Sequence, residues 1–364
     1  MPELLKFEYK RLLTCKPLYF ILAAAAIIPL AAGIGVNVFF GLMGVDDFDK
    51  LNGFTSGNEQ FFTWFVISFF HTRLPIFIAL FTSLFLGRDF RDGFVRNKVT
   101  AGHSRLSIYA SAMITQVSVT AALCIIYVLV GTVTMALSPM GANLNGGEML
   151  VRAFVLMLSL IAMTVLFTAL SMALNGKVLV TVISVVFVMA LGLAGSLAST
   201  YSYSSDMIDE YIDVCEDKID EYEEDYGYVY YTVPKRSDYI NYGWYIGHPL
   251  YVLTNAGIEK DLMASLENSV LTFDTDEIFS YPKKVARMGY GQSLITAIFT
   301  NSNPPPLDKK DMKKIDGMIV DIDDLLVAYS IKSVVWTAIF AAGGYAIFRK
   351  KNLSGCFTMT TDCQ

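Results

Sequence analysis

Gly87-Arg-Asp-Phe-Arg-Asp-Gly-Phe-Val-Arg-Asn-Lys-Val-Thr-Ala-Gly-His-Ser-Arg105 is a short polar island between two long apolar runs, and it holds five Arg and Lys side chains against two Asp. A helix crosses the roughly 30 Å of membrane hydrocarbon with about 20 apolar residues, at about 1.5 Å per residue. Basic residues in a short connection between such runs hold it on the cytoplasmic side. The island therefore divides a membrane-embedded chain and sets its orientation.

Composition agrees with this reading. A chain of 364 residues that is 54% hydrophobic and 17% charged, with mean hydropathy +0.47, has too few polar residues to cover a soluble fold of its size. The net charge of −6 supplies no basic field for phosphates, so no nucleic acid is expected as a partner. Most of the acid lies between Asp206 and Asp324. The cysteines, Cys15, Cys124, Cys215, Cys356 and Cys363, are too scattered for a metal-ligand pair or a disulfide framework.

Taken in order, Pro2 to Lys16 carry Leu5, Tyr9, Leu12 and Leu13 at helical spacing with cations on other faces. This predicts an amphipathic helix on the inner membrane surface, or a positive flank that orients the first span. The spacing then predicts spans at Pro17–Leu42, Phe61–Leu86, Leu106–Leu137, Met149–Leu174, Val178–Thr200 and Leu325–Phe348. The first is too long for the core of a signal peptide. Pro75 is placed to kink or break the second, and Gly192, Gly195, Ser196 and Ser199 give the fifth a small-residue face for close packing.

Between the fifth and sixth spans, Ile208, Ile212, Cys215, Ile219, Tyr222 and Tyr226 recur through an acidic background, which predicts an amphipathic helix. Tyr228 to Tyr251 is tyrosine-rich and broken by Pro234, Gly243, Gly247 and Pro249, more like strands and turns. The expected fold is an all-α polytopic membrane protein of six transmembrane helices with a small mixed α/β extracellular domain between helices 5 and 6. Its parts are an interfacial helix (1–16), spans one to five with the island (17–200), the extracellular acidic domain (201–324), span six (325–348) and a cytoplasmic tail (349–364). Lys and Arg concentrate on the inner segments, so both termini are expected to be cytoplasmic.

Four cations, His71, Arg73, Arg152 and Lys332, fall toward the outer half of this arrangement. Charge at membrane depth is costly and usually faces a protein interior or a water-filled path, so these four are the candidates for a substrate path suited to an anionic, amphipathic or peptide-like cargo. Pairing with the acidic domain or with lipid phosphates explains them equally. No GxxxxGK[ST], HExxH or GxSxG arrangement occurs, and no catalytic or metal-binding residue is assigned.

The island also carries an ordered pattern: an acidic residue, a Gly, a basic Arg-Asn-Lys stretch, then Gly-His-Ser-Arg and a new span. On Asp89, Gly93, Arg96, Asn97, Lys98, Gly102, His103, Ser104 and Arg105 it resembles the inner loop of bacterial ABC transporter permeases of the type-2 exporter class. Phe94 stands where the family commonly has a small hydroxyl residue, and Asp89 where it often has Glu.

The resemblance implies a coupling helix that docks on a separate cytoplasmic ABC ATPase, with two permease halves and two ATPases per assembly. No cofactor would be bound directly, ATP and Mg entering through the ATPase. Asp89, Asp92, Gly93, Arg96, Lys98, His103 and Arg105 become the coupling residues, in the plasma membrane of a bacterium. Asp89 and Asp92 are expected near the start of the short helix and Arg96 and Lys98 toward its end. A basic loop that only sets topology and binds anionic lipid is the simpler alternative. A membrane sensing or self-protection protein, whose extracellular domain captures a peptide on its tyrosines, is the alternative function.

Overall fold

The computed structural model describes residues 2–42, 74–136, 146–174, 177–200, 205–227 and 322–351, with positions 232, 233, 235, 236, 249, 250, 253–255 and 258. Among these residues the elements are α1 (Pro2–Leu13), α2 (Lys16–Leu42), α3 (Leu74–Arg91), α4 (Phe94–Thr100), α5 (Arg105–Ala136), α6 (Gly146–Ala173), α7 (Lys177–Thr200), α8 (Ser205–Tyr226) and α9 (Ile322–Lys350). All are helices, as hydrocarbon requires, since a helix satisfies its backbone groups within one segment.

Four helices, not six, are long and apolar enough to cross a membrane among the described residues: Lys16–Gly35, Arg105–Thr134, Leu150–Ala173 and Leu326–Lys350. They mark the chain as membrane-embedded. The two shortfalls have separate causes. In α3 the apolar part of the described helix ends at Arg88 and Asp89, and the upstream half of the expected second span lies outside the described residues. In α7 the apolar stretch described is Val178–Gly192, and the side chains of 193–200 lie outside the described ones. Pro75 sits in the first turn of α3 as described, where its missing N–H costs no helical hydrogen bond.

α6 is the central element. It packs against α9, α5, α3 and α7, while α2 lies along α5 and α3 along α7. Burial follows that order: 61% of the apolar window of α6 is buried against 11% of that of α9. The outward faces of α2 and α9, with Phe20, Ile27 and Ile34 on one and Ile331, Val334 and Ile339 on the other, are exposed and apolar, as contact with lipid tails requires.

Close helix approach falls on Gly344 and Gly33, and of the expected α7 face Gly195, Ser196 and Ser199 lie outside the described side chains. A Cβ on Gly344 would stand 2.3 Å from the Tyr109 hydroxyl and 2.4 Å from the Ala169 Cβ, and one on Gly33 would stand 2.2 Å from Thr134 Cγ2. Gly192 meets nothing within 4 Å, so the small-residue face of α7 is not buried there against a neighbouring helix.

α8 forms where the acidic amphipathic pattern predicts a helix, and its buried seam is Tyr211, Val214, Cys215 and Lys218. That seam is rotated slightly from the isoleucine line, and Lys218 on it pairs with Glu221 at 2.8 Å. Among the described residues there is no strand; most of Tyr228–Tyr251 lies outside them. Residues 253–255 and 258 pack against the apolar helices. Asn255 is buried between α6 and α9, donating to Ser159 Oγ at 3.2 Å and Ser333 Oγ at 2.7 Å. Trp336 donates to the Leu253 carbonyl at 2.7 Å, and Ile258 joins the core.

Candidate functional site

The island folds as a helix, a corner, a second short helix and a third helix. α3 ends in the turn Asp92-Gly93, with the Gly93 N–H bonded to Phe90 O at 3.3 Å. Gly93 lies at φ 73°, a left-handed conformation that glycine adopts at no steric cost. Its carbonyl then accepts the first bond of α4, from the Asn97 N–H at 2.9 Å.

α4 closes with Gly102 at φ 84°. His103 N–H donates to Lys98 O at 3.1 Å and Gly102 N–H to Val99 O at 3.0 Å, the paired bonds of a Schellman stop. Ser104 then starts α5: its hydroxyl accepts from the Ser107 N–H at 3.2 Å, a side-chain cap on an otherwise unpaired donor.

Beneath α4 four charges form a closed ring. Glu8 of α1 pairs with Arg11, at 2.8 Å, and with Lys98; Asp89 at the end of α3 pairs with Arg11 and, at 3.6 Å, with Lys98. Each acid thus faces two cations, and the ring carries no net charge. Glu8, Asp89 and Lys98 are all buried. The Arg11 guanidinium lies over the Phe85 ring, 4.3 Å from its centre, and near Phe94 at 5.5 Å, which covers its flat face. Burial raises the Asp89 carboxyl above the usual carboxylate range, and Arg11 and Lys98 pull against that rise.

The ring corrects the expected layout of the site. Asp89 belongs to the last turn of α3 rather than the start of the short helix, where the helix dipole opposes an anion; the two cations supply the compensation. Asp89 and Lys98 point inward and present nothing to a partner. Among the island's described side chains Arg88, Asp92, Arg96, Asn97, Thr100, Ala101 and Ser104 are exposed, and His103 is partly exposed. Arg88 and Asp92 make a 3.6 Å pair on this outer side. Gly93 and Gly102 act through the backbone alone.

Arg105 also turns away from the outer face. Its Nη1 donates to the carbonyls of Phe348 at 3.3 Å, Arg349 at 2.7 Å and Lys351 at 2.7 Å, all at the end of α9. Lys351 donates to Met172 O of α6 at 2.9 Å and lies 4.3 Å from the Phe90 ring centre of α3. The ends of α3, α6 and α9 and the start of α5 therefore meet at one end of the bundle, alongside α1.

Of the outer cations, His71 and Arg73 lie outside the described residues. Arg152 stands on α6 two turns before Ser159, partly buried, and Lys332 on α9 lies 4.9 Å from the Tyr329 ring centre. Sequence reasoning missed Glu8, Arg11, Asn255 and Lys351. Glu8 had a legible signal, since the buried stripe of α1 is Leu4-Glu8-Leu12 and an acid in line with two leucines needs a buried cation. Of the expected stripe of Leu5, Tyr9, Leu12 and Leu13, Leu12 is buried and Leu13 is exposed. Asn255 and Lys351 carry no local signal.

No family model matches the chain, and no curated protein or solved structure is similar to it.

Proposed function

We propose that the chain is the membrane-spanning subunit of an ATP-driven exporter of the ABC type, drawing on a separate cytoplasmic ATPase. The observation that carries this reading is the build of the island. A loop that only oriented the chain would need its cations but no frame. Here α4 is fixed to α1 and α3 by a buried ring, while Arg88, Arg96, Asn97 and Thr100 stay in solvent. A short helix held this firmly can pass a partner's rigid-body movement into the bundle, which suits mechanical work and not catalysis. The absence of a GxxxxGK[ST] loop from the sequence makes the ATPase a second protein.

On this reading the chain crosses the plasma membrane of a bacterium six times, through α2, the stretch from 61 through α3, α5, α6, α7 and α9. Both termini are cytoplasmic, most of 201–321 is outside, and two permease halves join two ATPases that hold ATP and Mg. The cargo is amphipathic, peptide-like or drug-like, passing the outer-half cations. Co-purification with the ATPase encoded by a neighbouring gene tests the proposal. The pair should associate and hydrolyse ATP, and Arg96→Glu should weaken the association without unfolding the chain. Failure of the unsubstituted chain to associate with any ATPase of its own genome would overturn it, and peptide binding with no ATP-dependent transport would favour a sensing role instead.

A further inference from the structure

The island is joined in sequence to α3 and α5, so a push on α4 is expected to move those two helices first. The side-chain contacts run elsewhere. Arg105, the first residue of α5, holds three carbonyls at the C-terminal end of α9, 243 to 246 positions away. The last four carbonyls of a helix have no partner within it, and a cation there also meets the negative end of the dipole. Lys351, just past α9, holds the Met172 carbonyl at the end of α6 and covers Phe90 at the end of α3. Tyr109, one turn into α5, packs its ring against Tyr345 and Phe348. Gly344 brings α9 against Ala169 of α6 so closely that a methyl group has no room.

We propose that Arg105 is the positioning residue that carries movement of the island into α9 and, through α9, into α6. This deepens the exporter reading and rests on it. Arg105 is thereby assigned to the transmission inside the subunit rather than to the surface that the ATPase touches. The α9–α6 pair, pinned to the island end by Arg105 and Lys351, moves as one body. The far ends of α2 and α9 then change their separation when the ATPase closes.

The test uses the full chain in complex with its ATPase, in a background with the five native cysteines replaced by alanine. Spin labels are placed at the exposed positions Val38→Cys, near the end of α2, and Val327→Cys, near the start of α9. The unsubstituted complex should show an ATP-dependent shift in label separation. Arg105→Gln should lose the shift while keeping its association with the ATPase and its melting temperature, and Arg105→Lys, which retains a cation and three donors, should restore it. A plain helix cap would instead lower the melting temperature and leave the shift in place.

A full shift in Arg105→Gln overturns the proposal, and so does loss of association in that variant, which would put Arg105 on the docking surface. Where Arg105→Gln does not fold, Lys351→Met reads the same route, and an unchanged shift there overturns it. No association of the unsubstituted chain with an ATPase overturns both this inference and the exporter reading, whereas association with a normal shift in Arg105→Gln overturns this inference alone.

Discussion

The α6–α9 pair is fastened by opposite means at its two ends. At one end Asn255 bridges Ser159 and Ser333, and Trp336 holds the Leu253 carbonyl, all of them neutral groups. At the other, Arg105 and Lys351 hold helix-end carbonyls beside a buried ring of four charges. Neutral polar contacts between membrane helices contribute on average about 0.6 kcal/mol each, because the separated helices find other partners. A buried ion pair is different: it adds little over an apolar pair, but loss of one member strands a charge. The neutral end can open at small cost, and the ionic end behaves as a fixed frame. The exporter proposed above, driven from the ionic end and releasing cargo at the other, would use that division.

The largest effect expected from breaking this contrast comes from Lys98→Ala. Glu8 and Asp89 would then share Arg11 alone, and the loss should be about 3–5 kcal/mol, the usual cost of stranding a buried charge. Chemical denaturation in mixed micelles measures it, and a loss under about 1 kcal/mol would mean that the ring carries little of the fold. Adding Glu8→Gln should recover part of the loss, since the two changes touch one network and cannot add. A group whose folded-state pKa is raised, as for Asp89, contributes most below its unfolded value and loses that contribution as pH rises through the folded one. Removing Lys98 enlarges the rise, so the Lys98→Ala penalty should shrink toward acidic pH.

Next in size is the contact between α9 and α6. Gly344→Val has to displace the backbone of Ala169, whose Cα would lie 3.1 Å from the new Cβ, and overpacking of this kind costs about 1–3 kcal/mol. Gly343, its neighbour, meets nothing within 4 Å. Gly343→Ala should therefore leave the melting temperature unchanged or slightly higher, and equal effects at the two positions would mean that α9 does not sit on α6 in this register.

Which of these features could be read from the sequence follows a physical rule. The apolar runs of α2, α5, α6 and α9 are continuous over a membrane thickness, so their positions were legible. The stops of the island were open to a local reading that was not made, because Gly93, Gly102 and Ser104 act on backbone groups within a few residues of themselves. The ring was not: Glu8 and Lys98 are 90 positions apart, and a Lys in a basic loop reads as exposed until its partner is known. The same reasoning placed Asp89 at the start of the short helix and gave Arg105 no partner at the end of α9. Asn255 was hidden twice over, since it stands in a polar stretch expected outside the membrane body and meets Ser159 and Ser333 only when α6 and α9 are side by side.

Asn255→Ala sharpens the comparison from the neutral side. It removes two hydrogen bonds and also a buried amide oxygen that has no bonding partner among the described residues, so part of the loss is returned. The expected cost is about 1 kcal/mol, well below that of Lys98→Ala. A cost as large as that of the ring would remove the idea that this end opens easily.

The smallest effect separates buried charge from exposed charge within the island itself. Arg88 and Asp92 stand one turn apart at 3.6 Å, with the Arg88 side chain 61% exposed, so water screens the pair and its two ends are free to hydrate separately. Pairs of this kind contribute about 0.3–0.5 kcal/mol at most, and less in salt. Arg88→Gln should therefore leave the melting temperature within error of the unsubstituted chain at moderate ionic strength. Its effect on association with an ATPase should be larger than its effect on folding, the reverse of Lys98→Ala. If Arg88→Gln destabilised the fold as Lys98→Ala does, the outer face of the island would be part of its frame, and a partner would have no free surface there to meet.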